Sequence, residues 1–140
     1  LVFRLADEWL ALPVTVLVEV TPVKPVRRVP HRTGVLAGVV NMRGELTLCA
    51  HLGKVLGIGT TTIPETGRML VVRRDSDRWA FAVAEVDRVH RVPNASVGRP
   101  PATVARAASH LTRGVFPLGD RAVGLIDEGR LFDTLRAKLR

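Results

Sequence analysis

Tyrosine is absent from this chain, and among its 140 residues there are only four phenylalanines and two tryptophans. Proteins that grip single-stranded nucleic acid need aromatic platforms on which bases stack. Here the few aromatics, Phe3, Trp9, Trp79 and Phe81 among them, sit in apolar strand-like contexts that suit a core. There is one cysteine, Cys49, so no internal disulfide can form, which fits a reducing, cytoplasmic setting. No apolar run approaches the roughly 20 residues that span a bilayer. The longest, Leu10 to Val18, is broken by Pro13 and Thr15. There is no starting methionine and no signal-peptide layout. Because Leu1 is already strand-like, some preceding sequence is expected to be missing.

Catalytic and metal-binding patterns are scarce as well. His31, His51, His90 and His110 are far apart and have no second cysteine to join them as metal ligands. Cys49 and His51 would share one face of a strand, but a lone cysteine in an apolar strand is more often a small core residue. Ser76, Ser96 and Ser109 lack a nucleophile-elbow pattern. Gly57-Ile58-Gly59 lacks the lysine and helix start of a phosphate loop. The expectation is a non-enzymatic chain with no cofactor, no metal and no small-molecule substrate.

What is abundant is positive charge. Lys and Arg total 21 against 13 Asp and Glu, for a net charge of +8. Such a balance invites a basic β-barrel that binds nucleic acid. Against it, the basic residues are scattered from Arg4 to Arg140 instead of clustering. Hydrophobic residues make up 46% and charged ones 24%, the balance of a folded domain with a real core.

The most ordered stretch runs from Gly38 to Gly57. Val39, Val40 and Met42 lead into Arg43-Gly44-Glu45, where a glycine can supply the positive φ of a hairpin turn. Leu46, Leu48 and Ala50 then alternate with Thr47, Cys49 and His51, the period of a half-buried strand. Leu52, Val55 and Leu56 continue at helical spacing, with Gly57 as a stop.

This stretch has a counterpart in the same chain. Gly38-Val39 through Leu56 matches Gly114-Val115 through Phe132 without a gap. Likewise Leu1–Arg4 followed by Trp9–Leu12 matches Leu70–Arg73 followed by Trp79–Ala82, and Glu19-Val20 matches Glu85-Val86. The reading is a single all-β domain over 1–140, with halves of about 1–57 and 69–140 joined by a Gly/Thr/Pro-rich linker at 58–68. Many short strands at this spacing argue for small barrels instead of a parallel sheet. One continuous apolar core is expected to serve both. Pro93 to Pro101 reads as a loop, 102–110 as a short surface turn, and Asp127 to Arg140 as a helix capped by Asp127 and burying Leu131, Phe132 and Leu135.

The ordered set Gly-Val-x-Asn-x-Arg-Gly, an apolar strand, then x-Leu-x-x-x-Leu-Gly resembles the signature of the CheW family of bacterial chemotaxis coupling proteins. Leu1–Glu8, the Leu17–Val20 segment and Arg28-Val29-Pro30 resemble its other parts, so the resemblance covers nearly the whole chain. It implies two intertwined five-stranded barrels, short helices after the hairpins and a C-terminal helix. It also implies an adaptor that couples the cytoplasmic tip of methyl-accepting chemoreceptors to the histidine kinase CheA, in arrays at the inner membrane.

Carried over by position, the receptor- or kinase-binding residues would be Leu17, Glu19, Gly38, Met42, Arg43 and Gly44. Arg43 is central, with Glu19 expected to hold its guanidinium in one direction through a two-pronged contact that lysine could not copy. The chain departs from the pattern after the hairpin, where Leu48-Cys49-Ala50-His51-Leu52 replaces the usual Pro-Val-x-Asp-Leu. His51 caps a helix more weakly than aspartate. The same resemblance would suit the regulatory domain of a CheA-type kinase or a coupling domain fused to a receiver.

Overall fold

A computed structural model describes residues 1–58, 66–98 and 109–139. Its elements run β1 (Val2–Leu5), β2 (Glu8–Ala11), β3 (Leu17–Pro22), β4 (Arg27–Arg28), β5 (Leu36–Met42), β6 (Glu45–Ala50) and the single-turn helix α1 (Leu52–Val55). Then come β7 (Arg68–Arg74), β8 (Asp77–Val83), β9 (Glu85–Val86), β10 (Thr112–Leu118), β11 (Arg121–Ile126) and α2 (Glu128–Lys138). Most of the linker, the end of the loop after Pro93 and all but the last two residues of the turn expected at 102–110 lie outside the described residues.

The strands form two sheets. One has the order β10-β11-β2-β1-β9, the other β3-β7-β8-β6-β5-β4. The second sheet therefore has six strands where five were expected, the extra one being the two-residue β4 on its edge. Neither sheet belongs to one half of the sequence. The first hairpin, β1–β2, is built into the sheet of β10–β11, and the third, β7–β8, into that of β5–β6. Two parallel pairings make the exchange: Leu10 opposite Gly124, and Leu48 opposite Trp79.

These two pairings are one another's images under the duplication, and so are the bulges. The register of β5–β6 shifts between Leu36 and Gly38, that of β10–β11 between Thr112 and Gly114. At both bulges only glycine fits. A Cβ on Gly38 would meet the Arg27 carbonyl oxygen at 2.0 Å, and one on Gly114 the Gly98 oxygen at 2.6 Å. The structure corrects one part of the sequence match. Both β1–β2 and β7–β8 close with two-residue turns, so Leu10 and not Trp9 holds the place of Trp79.

The core is divided, not continuous. The largest cluster, with Phe3, Leu10, Trp79, Phe81, Phe132 and Leu135, draws on both sheets and α2. A second, around Met42, Cys49, Met69 and Val71, lies on the six-stranded sheet, and a third, around Phe116 and Val123, on the other. The division follows from topology. Strands such as β6 and β8 have both faces covered, so successive residues feed different clusters. α2 docks as its pattern predicts, with Leu131, Phe132 and Leu135 fully buried and Asp127 accepting the Arg130 amide at 3.0 Å.

Candidate functional site

The hairpin β5–β6 closes through Arg43 and Gly44, both with positive φ, at 54° and 86°. Two left-handed central residues make the turn whose twist matches that of the flanking strands. Asn41 fixes it, its Oδ1 accepting the Gly44 amide at 2.7 Å. The sequence pointed to Gly44 as the residue with positive φ, but Arg43 shares the conformation, which is uncommon for a side chain of its size. In the equivalent turn of the second half, Gly119 takes that place with φ 62°. The first half thus carries an arginine where glycine is the unstrained choice.

Strand β3 brings Glu19 beneath this turn. Arg43 Nη2 lies 3.2 Å from Glu19 Oε2, with the arginine side chain 82% exposed and the glutamate only 16%. The buried partner holds the base of the contact while the guanidinium remains in water. A second pair follows at once, Arg78 Nη1 to Glu45 Oε2 at 2.9 Å. These four charges and Val18 rim a shallow cleft of about 340 Å³ floored by Met42. Such a surface presents alternating charge around an apolar floor, a form suited to docking a polypeptide and not to bond chemistry.

The other residues singled out in the sequence are placed less directly. Gly44 is exposed at the tip of the turn, and Leu17 is half-buried at the start of β3. Met42 is fully buried, so it supports the cleft from below. Gly38 lies beneath Arg27 and Arg28 on β4, and close packing accounts for its lack of a side chain.

Sequence reasoning missed Leu46. The alternation in β6 suggested that Leu46 faces inward with Leu48, yet Leu46 is 78% exposed while Thr47 and Cys49 are buried. Near the turn the strand has outrun the layer that covers its other end. Leu46 there joins Pro25, Val29 and Val39 in an apolar hollow. The place equivalent to Leu46 in the second half holds alanine, Ala122, and that asymmetry is the one signal that could have marked Leu46 out.

Cys49 has no exposed surface, and burial pushes its thiol up to about 11, the opposite of what a nucleophile needs. Among the described residues, no three His, Cys, Asp or Glu side chains are placed to hold a metal, and no helix is long and apolar enough to cross a membrane.

The profile of the CheW-like domain matches residues 1–136. The chain belongs to the CheW-like domain family. Its relatives include the chemotaxis protein CheW of Helicobacter pylori, 27% identical over 126 residues, which are 89% of this chain and 74% of that protein. Among solved structures, the scaffolding protein TtCheW of Thermoanaerobacter tengcongensis aligns with a TM-score of 0.77 at 24% identity. That alignment covers 90% of this chain and 81% of the other, and it is a likeness of fold. The CheW proteins of this family are scaffolds and not enzymes, and this chain takes the adaptor role with them.

Proposed function

We propose that this CheW-like domain couples a CheA-type histidine kinase to the cytoplasmic tip of methyl-accepting chemoreceptors, working in the cytoplasm within receptor arrays at the inner membrane. The observation that carries the reading is the Arg43 turn. An exposed guanidinium stands on a left-handed residue, is held from below by a mostly buried glutamate, and occupies a place that the second half gives to glycine. Ala6 and Asp75 take the same left-handed conformation in the other two-residue turns, so the exposed guanidinium and its mostly buried partner support the reading more than the backbone does.

In this reading Arg43, Gly44 and Glu19 meet the partner, Leu17 flanks them, and Met42 and Gly38 hold the hairpin in shape. Leu46 and its apolar neighbours add a desolvated contact beside the charged one, the mixture found at the centre and rim of interfaces.

The test is the affinity of the purified chain for kinase and receptor fragments taken from its own genomic neighbourhood. Arg43→Ala is expected to weaken at least one of the two by about 1.5 kcal/mol or more, the scale of a lost charged hydrogen bond. Arg43→Lys should restore only part, because a point charge does not reproduce the fork. Full-strength binding of both partners by Arg43→Ala would remove the turn from the interface.

A further inference from the structure

On the far side of β5 from the Arg43 turn, the segment after β4 folds over the start of α1 and leaves a cleft of about 500 Å³. Its polar lining is basic throughout: Arg28, His31, His51 and Lys54, with Leu36 and Ala37 contributing apolar wall. No carboxylate from the described residues lines it. Some arginines elsewhere are matched to acids, such as Arg4 to Glu85, Arg74 to Asp133 and Arg113 to Glu128, and what sets the cleft apart is that its cations converge on one hollow. Arg28 and Lys54 have no such partner among the described residues. His31 is already engaged, its Nδ1 3.0 Å from the Thr33 hydroxyl and its Nε2 donating to the Leu139 carbonyl at 3.1 Å. Three donors remain open: Arg28, His51 and Lys54.

The duplication shows that this basic cleft is a departure and not a requirement of the fold. At the equivalent place the second half has Asp127, which caps α2. His51 makes no such cap bond, so the first half lacks both the cap and the acid where the cleft opens. Gly34 suits its left-handed φ of 69°, and Lys54 Nζ lies against it. The cationic surroundings act on His51 itself, whose pKa is held down by burial first, then by Arg28 and Lys54. A cavity of this size falls in the range that small ligands occupy.

We propose that this cleft binds a small phosphate-bearing ligand. Three donors, Arg28 from β4 and His51 and Lys54 from the start of α1, suit an anion with three terminal oxygens better than a planar carboxylate with two. The apolar wall gives the body of a phosphorylated small molecule a surface to lie on. The proposal is independent of the adaptor reading, and kinase and receptor binding measured on the same variants separates the two.

The experiment is calorimetric titration of the whole chain with inorganic phosphate and with phenyl phosphate, against chloride at matched ionic strength, with the His51 ring followed by NMR. Saturable one-to-one binding is expected, and the bound anion should raise the His51 pKa. Tighter binding of phenyl phosphate assigns the site to a phosphorylated small molecule, and equal binding to free phosphate. Arg28→Ala and Lys54→Ala, both at exposed positions that folding tolerates, should each weaken binding roughly tenfold, the value of one charged hydrogen bond. His51→Asp should abolish it, and Arg73→Ala, an exposed arginine outside the cleft, should change nothing. No saturation at millimolar phosphate overturns the proposal. So does binding that survives Arg28→Ala and Lys54→Ala, or that falls equally with Arg73→Ala.

Discussion

Holding a side chain in the left-handed region costs on the order of 1 kcal/mol relative to glycine. At Arg43 the guanidinium end of the ion pair lies in water and returns little of this, since solvent-screened pairs contribute about 0–1 kcal/mol. Arg43→Gly is therefore expected to keep or raise the free energy of urea unfolding, by up to about 1 kcal/mol, while partner affinity falls. A clear loss of stability would mean that the Glu19 contact holds the turn, and the arginine would then be structural. His51 makes a second prediction at this scale. Its pKa is lowered from 6.5 in the folded chain, so the folded state binds fewer protons than the unfolded one just below that pH. Its contribution to stability is complete above about pH 6.5 and is lost as the pH falls through the folded value. His51→Asp should flatten that acid-side loss and, by supplying a cap, add about 1 kcal/mol at neutral pH. Urea midpoints across pH in phosphate-free buffer decide both points. Of these two residues, the sequence showed His51 as a weak cap by comparison with the family pattern and with Asp127, and the structure gives it no cap bond at all. The sequence showed Arg43 only through the family resemblance, because a positive φ on arginine depends on the two-residue closure of the turn and not on residue type.

The hairpins and helices were the most legible elements, since each rests on contacts within a few residues. The Gly57 stop is real: φ is 74° and the Ile58 amide reaches back to the Gly53 carbonyl at 2.7 Å. The face of β6 expected inside does carry Leu48 and Ala50 to the largest cluster, but Cys49 on the other face is covered as well, and the covering layer ends before Leu46. α2 offers the quantitative test. Phe132 is fully buried in the largest cluster, and Arg74 lies 5.1 Å over its ring while bonding Asp133 at 2.9 Å. Phe132→Ala should cost roughly 3 kcal/mol or more. Asp127→Ala should cost about 1 kcal/mol by removing the cap, whereas His51→Ala, at a position that caps nothing, should cost far less. Denaturant unfolding that ranks these three otherwise would mean that α2 is not anchored as its contacts indicate.

At the scale of the whole molecule, the duplication was readable from the gap-free match of Gly38–Leu56 with Gly114–Phe132, but the exchange of hairpins between halves was not. Strand partners far apart in sequence leave no local pattern, and a repeat looks the same whether each copy folds on itself or lends a hairpin to the other. The observed weave has a physical consequence. Fragment 1–58 would hold β1–β2 without the β10–β11 hairpin it pairs with, and β5–β6 without β8, whose Trp79 and Phe81 flank Leu48 and Ala50. Fragment 66–140 is left with the complementary edges. Neither can close the largest cluster, which takes Phe3 and Leu10 from one and Phe81 and Phe132 from the other. Each fragment alone is therefore expected to lack a cooperative unfolding transition. Mixed in equal amounts, the two should associate and recover the near-ultraviolet circular dichroism of the intact chain, because every missing strand partner is supplied by the other fragment. The recovered complex should lose stability on dilution, as any two-chain assembly does. Cooperative unfolding of either fragment by itself would mean that a half can pair its own hairpins, and the woven arrangement would then be a choice made by the tether and not by the strands.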